Sequence, residues 1–259
     1  MKPPIRVALL ASDDRASRVV ADHLHREFDL VHVVIERRRP RWPLLQRRWR
    51  RLGSRHVIDQ LVFQTLVRPV LRRHARDRIR QLEADPTLRA PPFPPQGSTL
   101  VSSINEPLTG DLIRFTGPQV VVVHGTSILS RGTLRQIAAP IINLHTGITP
   151  DYRGVHGAYW ALAEGRLDRC GVTIHRVDEG IDTGAALAQA IIEPGPDDNF
   201  ETYPLLQLQL GVQLLRSVIV ALDGHSAPSV ATPPHVRTKL RSHPRASRYL
   251  WARWSRGVR

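Results

Sequence analysis

The chain has one cysteine, Cys170, and one methionine among its 259 residues, and aromatic residues make up only 5% of it. A lone thiol excludes an internal disulfide framework, which fits a reducing cytoplasm. Cys170 lies between Arg169 and Gly171 at the start of an expected strand. A small buried filler is the plainer reading there, and a nucleophile is the alternative. No Cys/His cluster has zinc-ligand spacing, so no metal is expected. No unbroken apolar run approaches the roughly 20 residues that a membrane span needs. The opening MKPPIRVALLASDD has an apolar run too short, and too soon acidic, for a secretory signal. Acidic residues are missing altogether from 237–259, where eight basic residues stand.

What is present is basic and unevenly spread. The formal net charge is +14. Residues 1–35 are balanced, 36–90 carry sixteen Arg against five acidic groups (net +11), 91–236 are net −5, and 237–259 are net +8. The basicity therefore belongs to two attachments. Three readings of 36–90 stand open: a solvated helical hairpin, an electrostatic footprint for a phosphate-bearing acceptor or lipid headgroup, or a nucleic-acid contact. No recognised nucleic-acid module accompanies the charge, which disfavours the last.

The length suits one large domain with appendages. Ile5–Ala11 reads as a buried strand, Ser12-Asp13-Asp14 as an N-cap cluster, 15–27 as an amphipathic helix and Leu30–Ile35 as a second strand. This βαβ start points to a parallel α/β sheet. The insertion at 36–90 begins with Arg mixed with Trp42 and Trp49, and a helical stripe follows from Ser54, which Pro69 should kink or end. A charged helix then runs to Asp85-Pro86, and APPFPPQG at 90–97 is a stiff connector. Further strands are expected at 99–104, 120–124, 141–145, 171–177 and 185–192, and helices at 108–115, 131–138, 156–164 and 201–222. Pro228–Pro234 interrupts the order. The tail, with Tyr249, Trp251 and Trp254, reads as a short amphipathic helix that docks on the insertion or on a membrane surface. The expected organisation is a domain over 1–224, carrying the insertion, and a basic Trp-containing tail over 225–259.

The chemistry concentrates in 141–189. Asn143 and His145 are two residues apart in an extended run, which places both side chains on one face. An amide can donate to a developing oxyanion, and an imidazole moves protons near neutral pH. Asp182 stands in the turn sequence EGIDTG, where a carboxylate can orient a His. Together they suit acyl transfer or amide formation, while ordinary turn residues and a packed His remain open on chemistry alone. Within the same stretch His156 could touch an acceptor, His175 could be simply packed, and Trp160 reads as core or as the rim of a cleft.

The ordered motifs N-x-H (143–145), P-x-Y-R-G (150–154), G-V-T-I-H (171–175) and D-E-G-I-D-T-G (178–184), followed by Gln189, closely resemble the folate-dependent formyltransferase family. That family includes glycinamide ribonucleotide, methionyl-tRNA and sugar-nucleotide N-formyltransferases and formyltetrahydrofolate deformylases. The match is dense over 119–192 and faint outside. The resemblance implies a Rossmann-like, mostly parallel sheet with helices on both faces. It implies Asn143, His145 and Asp182 as the catalytic trio, and N10-formyltetrahydrofolate as co-substrate without a metal. The co-substrate would be held by Ser127, Ile128 and Leu129 on one wall and by Val177, Asp178, Glu179 and Gly180 on the other.

The implied reaction is formyl transfer to a primary amine, with a protonated His145 sharing the oxyanion with Asn143, and Asp182 raising the His pKa. Where ribonucleotide-binding members carry a Gly-Ser-Asn type loop, this chain has Ala11-Ser12-Asp13-Asp14, whose carboxylates would repel phosphate. Methionyl-tRNA formylation is disfavoured by the short stretch after 192, and a deformylase by an opening directly on the first strand. The expected acceptor is an amino sugar on a nucleotide or lipid carrier, in a cytoplasmic enzyme with peripheral contact to anionic membrane as a further expectation. A non-enzymatic basic scaffold binding anionic lipid or RNA is the rival from another class.

Overall fold

The computed structural model describes residues 4–37, 49–50, 53–224, 228–231 and 239–259. Trp42 and most of the Arg/Trp run that opens the insertion lie outside the described residues, as does Pro234. Seven strands form one sheet: β1 (Arg6–Ser12), β2 (Asp29–Glu36), β3 (Ser98–Val101), β4 (Val120–His124), β5 (Ile141–His145), β6 (Gly171–Arg176) and β7 (Ala186–Ile191). Their order is β3-β2-β1-β4-β5-β6-β7. Pairs from β3 through to β5 are parallel, and β6 and β7 are antiparallel additions at one edge. This is the expected mostly parallel α/β sheet.

The central strands are continuous apolar runs because both of their faces are covered. Every residue of β4, VVVVH, is buried. On one face α1 (Arg15–Glu27) and the 21-residue α8 (Tyr203–Asp223) close a core of Leu9, Val122, Ile142, Val172, Leu208 and Leu215. By length and composition α8 could cross a membrane, yet it lies against β4–β7 and buries Leu208, Val212, Leu215 and Ile219 in that core. On the other face α5 (Pro107–Thr116) and α6 (Arg131–Gln136) cover Ala8, Leu10, Val121 and Val123. Asp14 caps α1 by accepting the Ser17 N–H at 2.8 Å, and Asp13 pairs with Arg18, so both carboxylates after β1 are engaged.

The chain leaves β1 for β2 on one side and returns for β4 on the other. The β1/β4 boundary is thus a topological switch point, where open α/β sheets bind ligands beyond the carboxyl ends of their strands. Ser12, His124 and His145 all end strands at this edge.

The insertion folds onto the domain. Helix α2 (Ser54–Val62) continues through a π-helical turn (Phe63–Val67) into α3 (Arg68–His74), and α4 (Arg76–Glu83) follows. Pro69 does not end the helix: Val67 and Arg68 keep right-handed helical dihedrals. A wider π turn stands just before it, closed by the Arg68 N–H donating to the Phe63 carbonyl. Helix α9 (Ala246–Arg256) of the tail packs on this arm, with Tyr249 5.2 Å from Phe63 and Phe63 4.9 Å from Phe200 (ring centroids). Tyr159, Tyr249, Phe200 and Phe63 form a second core that joins arm, tail and α7 (Gly157–Ala163). Arg68 reaches Glu201 through two bonds of 2.6 and 3.1 Å, and Arg78 reaches the buried Asp198 at 2.9 Å. Cys170 is fully buried, and burial pushes its thiol up to about 12, in keeping with a packing role.

Candidate active site

The antiparallel register of β5 and β6 builds the site. Asn143 lies opposite His175, and His145 opposite Thr173. Alternation puts Asn143 and His145 on one face of β5, and Thr173 and His175 on the matching face of β6. Asp182 enters from the following loop in the left-handed region, φ 51°, which is uncommon for a residue with a Cβ and is held here by specific bonds. The expected trio is therefore brought together, with His175 added to it. Oδ1 of Asp182 is 3.5 Å from Nδ1 of His145 and 3.6 Å from Nε2 of His175. The Asn143 amide nitrogen is 3.1 Å from Nε2 of His175.

The turn after β5 fixes these groups through three consecutive residues. The Tyr152 carbonyl accepts from Nε2 of His145 at 3.0 Å, Arg153 Nε donates to the Ile181 carbonyl at 2.7 Å, and the Gly154 N–H donates to Oδ2 of Asp182 at 2.9 Å. Behind them the Thr173 hydroxyl donates to the Gly147 carbonyl, and the Gln189 amide donates to the Thr149 carbonyl at 2.6 Å. The motif Gln thus supports the loop from below. The Thr149–Pro150 bond is cis.

The proton positions follow from these partners. A carbonyl can only accept, so Nε2 of His145 carries a proton and Nδ1 is the site that changes state. Nδ1 of His175 is 2.7 Å from the Arg176 carbonyl and likewise carries a proton. Its Nε2 lies between the Asn143 amide and the Asp182 carboxylate. Burial would raise the Asp182 carboxyl, but the His175 ring, the charge of His145 and the Gly154 N–H outweigh it and hold it at about 2. For His145 the balance runs the other way from the sequence expectation. Burial lowers its pKa below 6.5, and the opposing pull of Asp182 and the Tyr152 carbonyl does not overcome that. The resting ring is neutral, beside a carboxylate that favours its protonation during a reaction.

The expected co-substrate walls converge too. Leu129 and Val177 belong to one apolar cluster, and Arg131 pairs with Glu179 at 2.7 Å. Several of their hydrogen-bonding groups are already engaged. Ser127 gives both its N–H and its hydroxyl to the buried Glu36, each at 2.6 Å, the Val177 N–H goes to the Ile141 carbonyl, and the Gly180 N–H goes to Asp178. The Ile128 carbonyl accepts from Asn105, while its side chain is 57% exposed.

His156 is not brought to the site. It sits in the second core, 2.9 Å from Nδ1 of His243, where burial lowers its pKa to about 3. Trp160 donates to the Ser242 carbonyl and joins that same core. Among the described residues no group of three or more His, Cys, Asp and Glu is placed to hold a metal ion.

The sequence profile described as formyl transferase matches residues 73–219, more than half of the chain. The chain belongs to the formyl transferase family. A methionyl-tRNA formyltransferase of Syntrophus aciditrophicus (strain SB) is 33% identical over 126 residues, which are 48% of this chain and 40% of that protein. One from Synechococcus sp. (strain JA-2-3B'a(2-13)) is 39% identical over 105 residues, 40% of this chain and 32% of that one. The chain thus spans well under half the length of these curated relatives. Among solved structures, glycinamide ribonucleotide transformylase 1 from Symbiobacterium toebii superposes with a TM-score of 0.56 at 16% identity, covering 87% of this chain and 90% of its own. A 4-N formyltransferase from Francisella tularensis gives 0.51 at 13% identity, covering 91% and 75%. At these identities the structures share the fold alone.

Proposed function

We propose that this formyl transferase family member moves a formyl group from N10-formyltetrahydrofolate to the primary amine of an amino sugar carried on a nucleotide or lipid. The observation that carries the reading is the convergence of Asn143, His145 and Asp182, with His145 poised between one carbonyl and one carboxylate. The residues fit a folate donor in a specific way. Ser127, Val177 and Gly180 have spent their N–H groups inside the protein, so the exposed Ile128 side chain and the remaining groups of the 178–180 turn are left to meet the pteridine.

Asn143 donates its amide N–H to the oxyanion that develops as the amine attacks the formyl carbon. His145, neutral at rest, takes the proton of the attacking amine at Nδ1, and Asp182 stabilises the resulting imidazolium. The same proton then passes to N10 as the carbon–N10 bond breaks, so one C–N bond is exchanged for another with no net proton change. Asp13 and Asp14, at the switch point after β1, support an acceptor that does not rest a phosphate on the start of α1.

The test is an assay with N10-formyltetrahydrofolate and a panel of amines: 4-amino-sugar nucleotides, glycinamide ribonucleotide and methionyl-tRNA. Formamide product from an amino sugar supports the reading. Formate released equally well without any amine points instead to hydrolysis, and product from another panel member moves the acceptor.

A further inference from the structure

We propose that the outer faces of the α2–α3 arm and of α9 form a docking surface for an anionic lipid bilayer. This goes beyond the proposed chemistry and does not depend on it.

The arm buries Val57, Gln60, Phe63 and Leu71 against the domain. Away from that face, Ile58, Val62, Leu66 and Val70 are 49%, 36%, 63% and 53% exposed. Their spacing is four residues throughout. On a regular α-helix such a stripe would drift about 40° per step. The π turn at Phe63–Val67 widens the helix in the middle of the stripe and so works against that drift. A solvated arm has no use for four exposed aliphatic side chains at this spacing.

Helix α9 extends the same surface. Ser247 donates from both its N–H and its hydroxyl to Asp59, the neighbour of Ile58. Leu250 and Trp254 follow Ser247 at three- and seven-residue spacing, so they share its outer side of α9, away from the buried face where Tyr249 packs on Phe63. They are 56% and 86% exposed. Trp251 lies one step round, with the Arg248 guanidinium 4.7 Å above its ring.

Cations surround this apolar line. Arg55, Arg72, Arg73, Arg76 and Arg253 are exposed, and among the described residues none has a carboxylate partner. Asp59 is taken by Ser247 and Arg245, and Asp77 pairs with Arg80. Aliphatic side chains and Trp flanked by Arg match a bilayer interface, where the apolar groups enter the acyl boundary and the guanidinium groups meet phosphate. A second copy of the chain would bring like charge against like charge, since the segments that supply the surface are net +11 (36–90) and +8 (237–259). RNA would leave the aliphatic line unburied.

The test is co-sedimentation of the full chain with vesicles of phosphatidylcholine alone and of phosphatidylcholine with phosphatidylglycerol. Binding to the anionic vesicles only, weakening as salt is raised, is the expected result. Leu66→Asp and Trp254→Ser should each lose most of that binding while keeping the wild-type melting temperature. Arg72→Gln with Arg73→Gln should weaken it tenfold or more, at about fivefold per Arg. Four results would overturn the proposal: no binding to anionic vesicles, equal binding to both kinds, wild-type binding by the Leu66 and Trp254 variants, or RNA binding or self-association in place of vesicle binding.

Discussion

Asn143 and His175 face each other across the β5–β6 ladder, and the amide nitrogen of one is 3.1 Å from Nε2 of the other. The pair makes the orientation of the proposed oxyanion donor depend on a histidine in the next strand. His175→Leu removes that acceptor and leaves the Asn143 amide free to rotate. The expected outcome is a fall in turnover of about tenfold or more, with the melting temperature close to wild type. His175→Gln, which keeps an acceptor, should recover part of the loss. Steady-state rates for the two variants, compared with donor binding, check this. Equal losses in both would remove His175 from the positioning role.

The reacting groups themselves should matter more. Asn143→Ala, His145→Ala and Asp182→Ala are each expected to reduce turnover about a hundredfold, or ~3 kcal/mol of barrier. Because burial holds the His145 pKa below 6.5 and the base must start neutral, turnover should persist at pH 6.5 and decline only at lower pH. Asp182, held at about 2, remains ionised across that range. A rate profile from pH 5 to 8 with the decline instead centred above 6.5 would show that His145 is charged at rest.

Much of this was legible in the sequence. The apolar runs at 120–124 and 141–145 fixed two central strands to the residue, and the period-two rule placed Asn143 with His145. The same rule applied to GVTIH marks Thr173 and His175 as a second pair on one face. What the sequence alone could not supply was the register that sets His175 opposite Asn143 rather than against the core. The buried Glu36 was equally hidden. Nothing local shows that the end of β2 accepts from Ser127 and Ile104 across 91 and 68 residues. For His145 the pull of Asp182 towards protonation was legible, and the burial that outweighs it was not, for a related reason. Its acidic partner is visible as a motif, but its burial depends on packing. At Pro69 the helix continues, with a π turn just before it, where the sequence left a kink or an end open, and such a turn has no simple sequence signal.

Acid should destabilise the fold through its buried imidazoles. His23, His124, His145 and His156 all have pKa values lowered first by burial, His156 to about 3. Below pH 6.5 the unfolded chain takes up protons that the folded chain refuses, so stability falls as pH falls from 6.5 towards the folded values. For His156 that window runs from 6.5 to about 3, and the carboxyl of Asp182 adds a loss of the same sign between its ordinary 3.8 and about 2. Urea melts across this range should show midpoints dropping with acid, and His156→Gln should flatten the drop. An unchanged slope in that variant would place the acid sensitivity elsewhere.

Gly147 offers the sharpest test of the site's backbone. A Cβ there would stand 2.4 Å from the Tyr152 carbonyl oxygen and 2.9 Å from Nε2 of His145, the two atoms whose 3.0 Å bond sets the ring. Neither can retreat easily, since the carbonyl belongs to the turn that also holds Asp182 through Gly154. Gly147→Ala should therefore lower turnover at least tenfold and cost about 1–3 kcal/mol of stability, by pressing on the His145 ring without replacing any reacting side chain. Gly132→Ala provides the contrast. It lies inside α6, its Cβ would approach nothing nearer than the Ser130 hydroxyl at 3.6 Å, and it should leave turnover unchanged while adding about 0.4–1 kcal/mol of stability. Paired measurements of rate and melting temperature on the two variants separate a general glycine effect from the specific demand of the His145–Tyr152 bond.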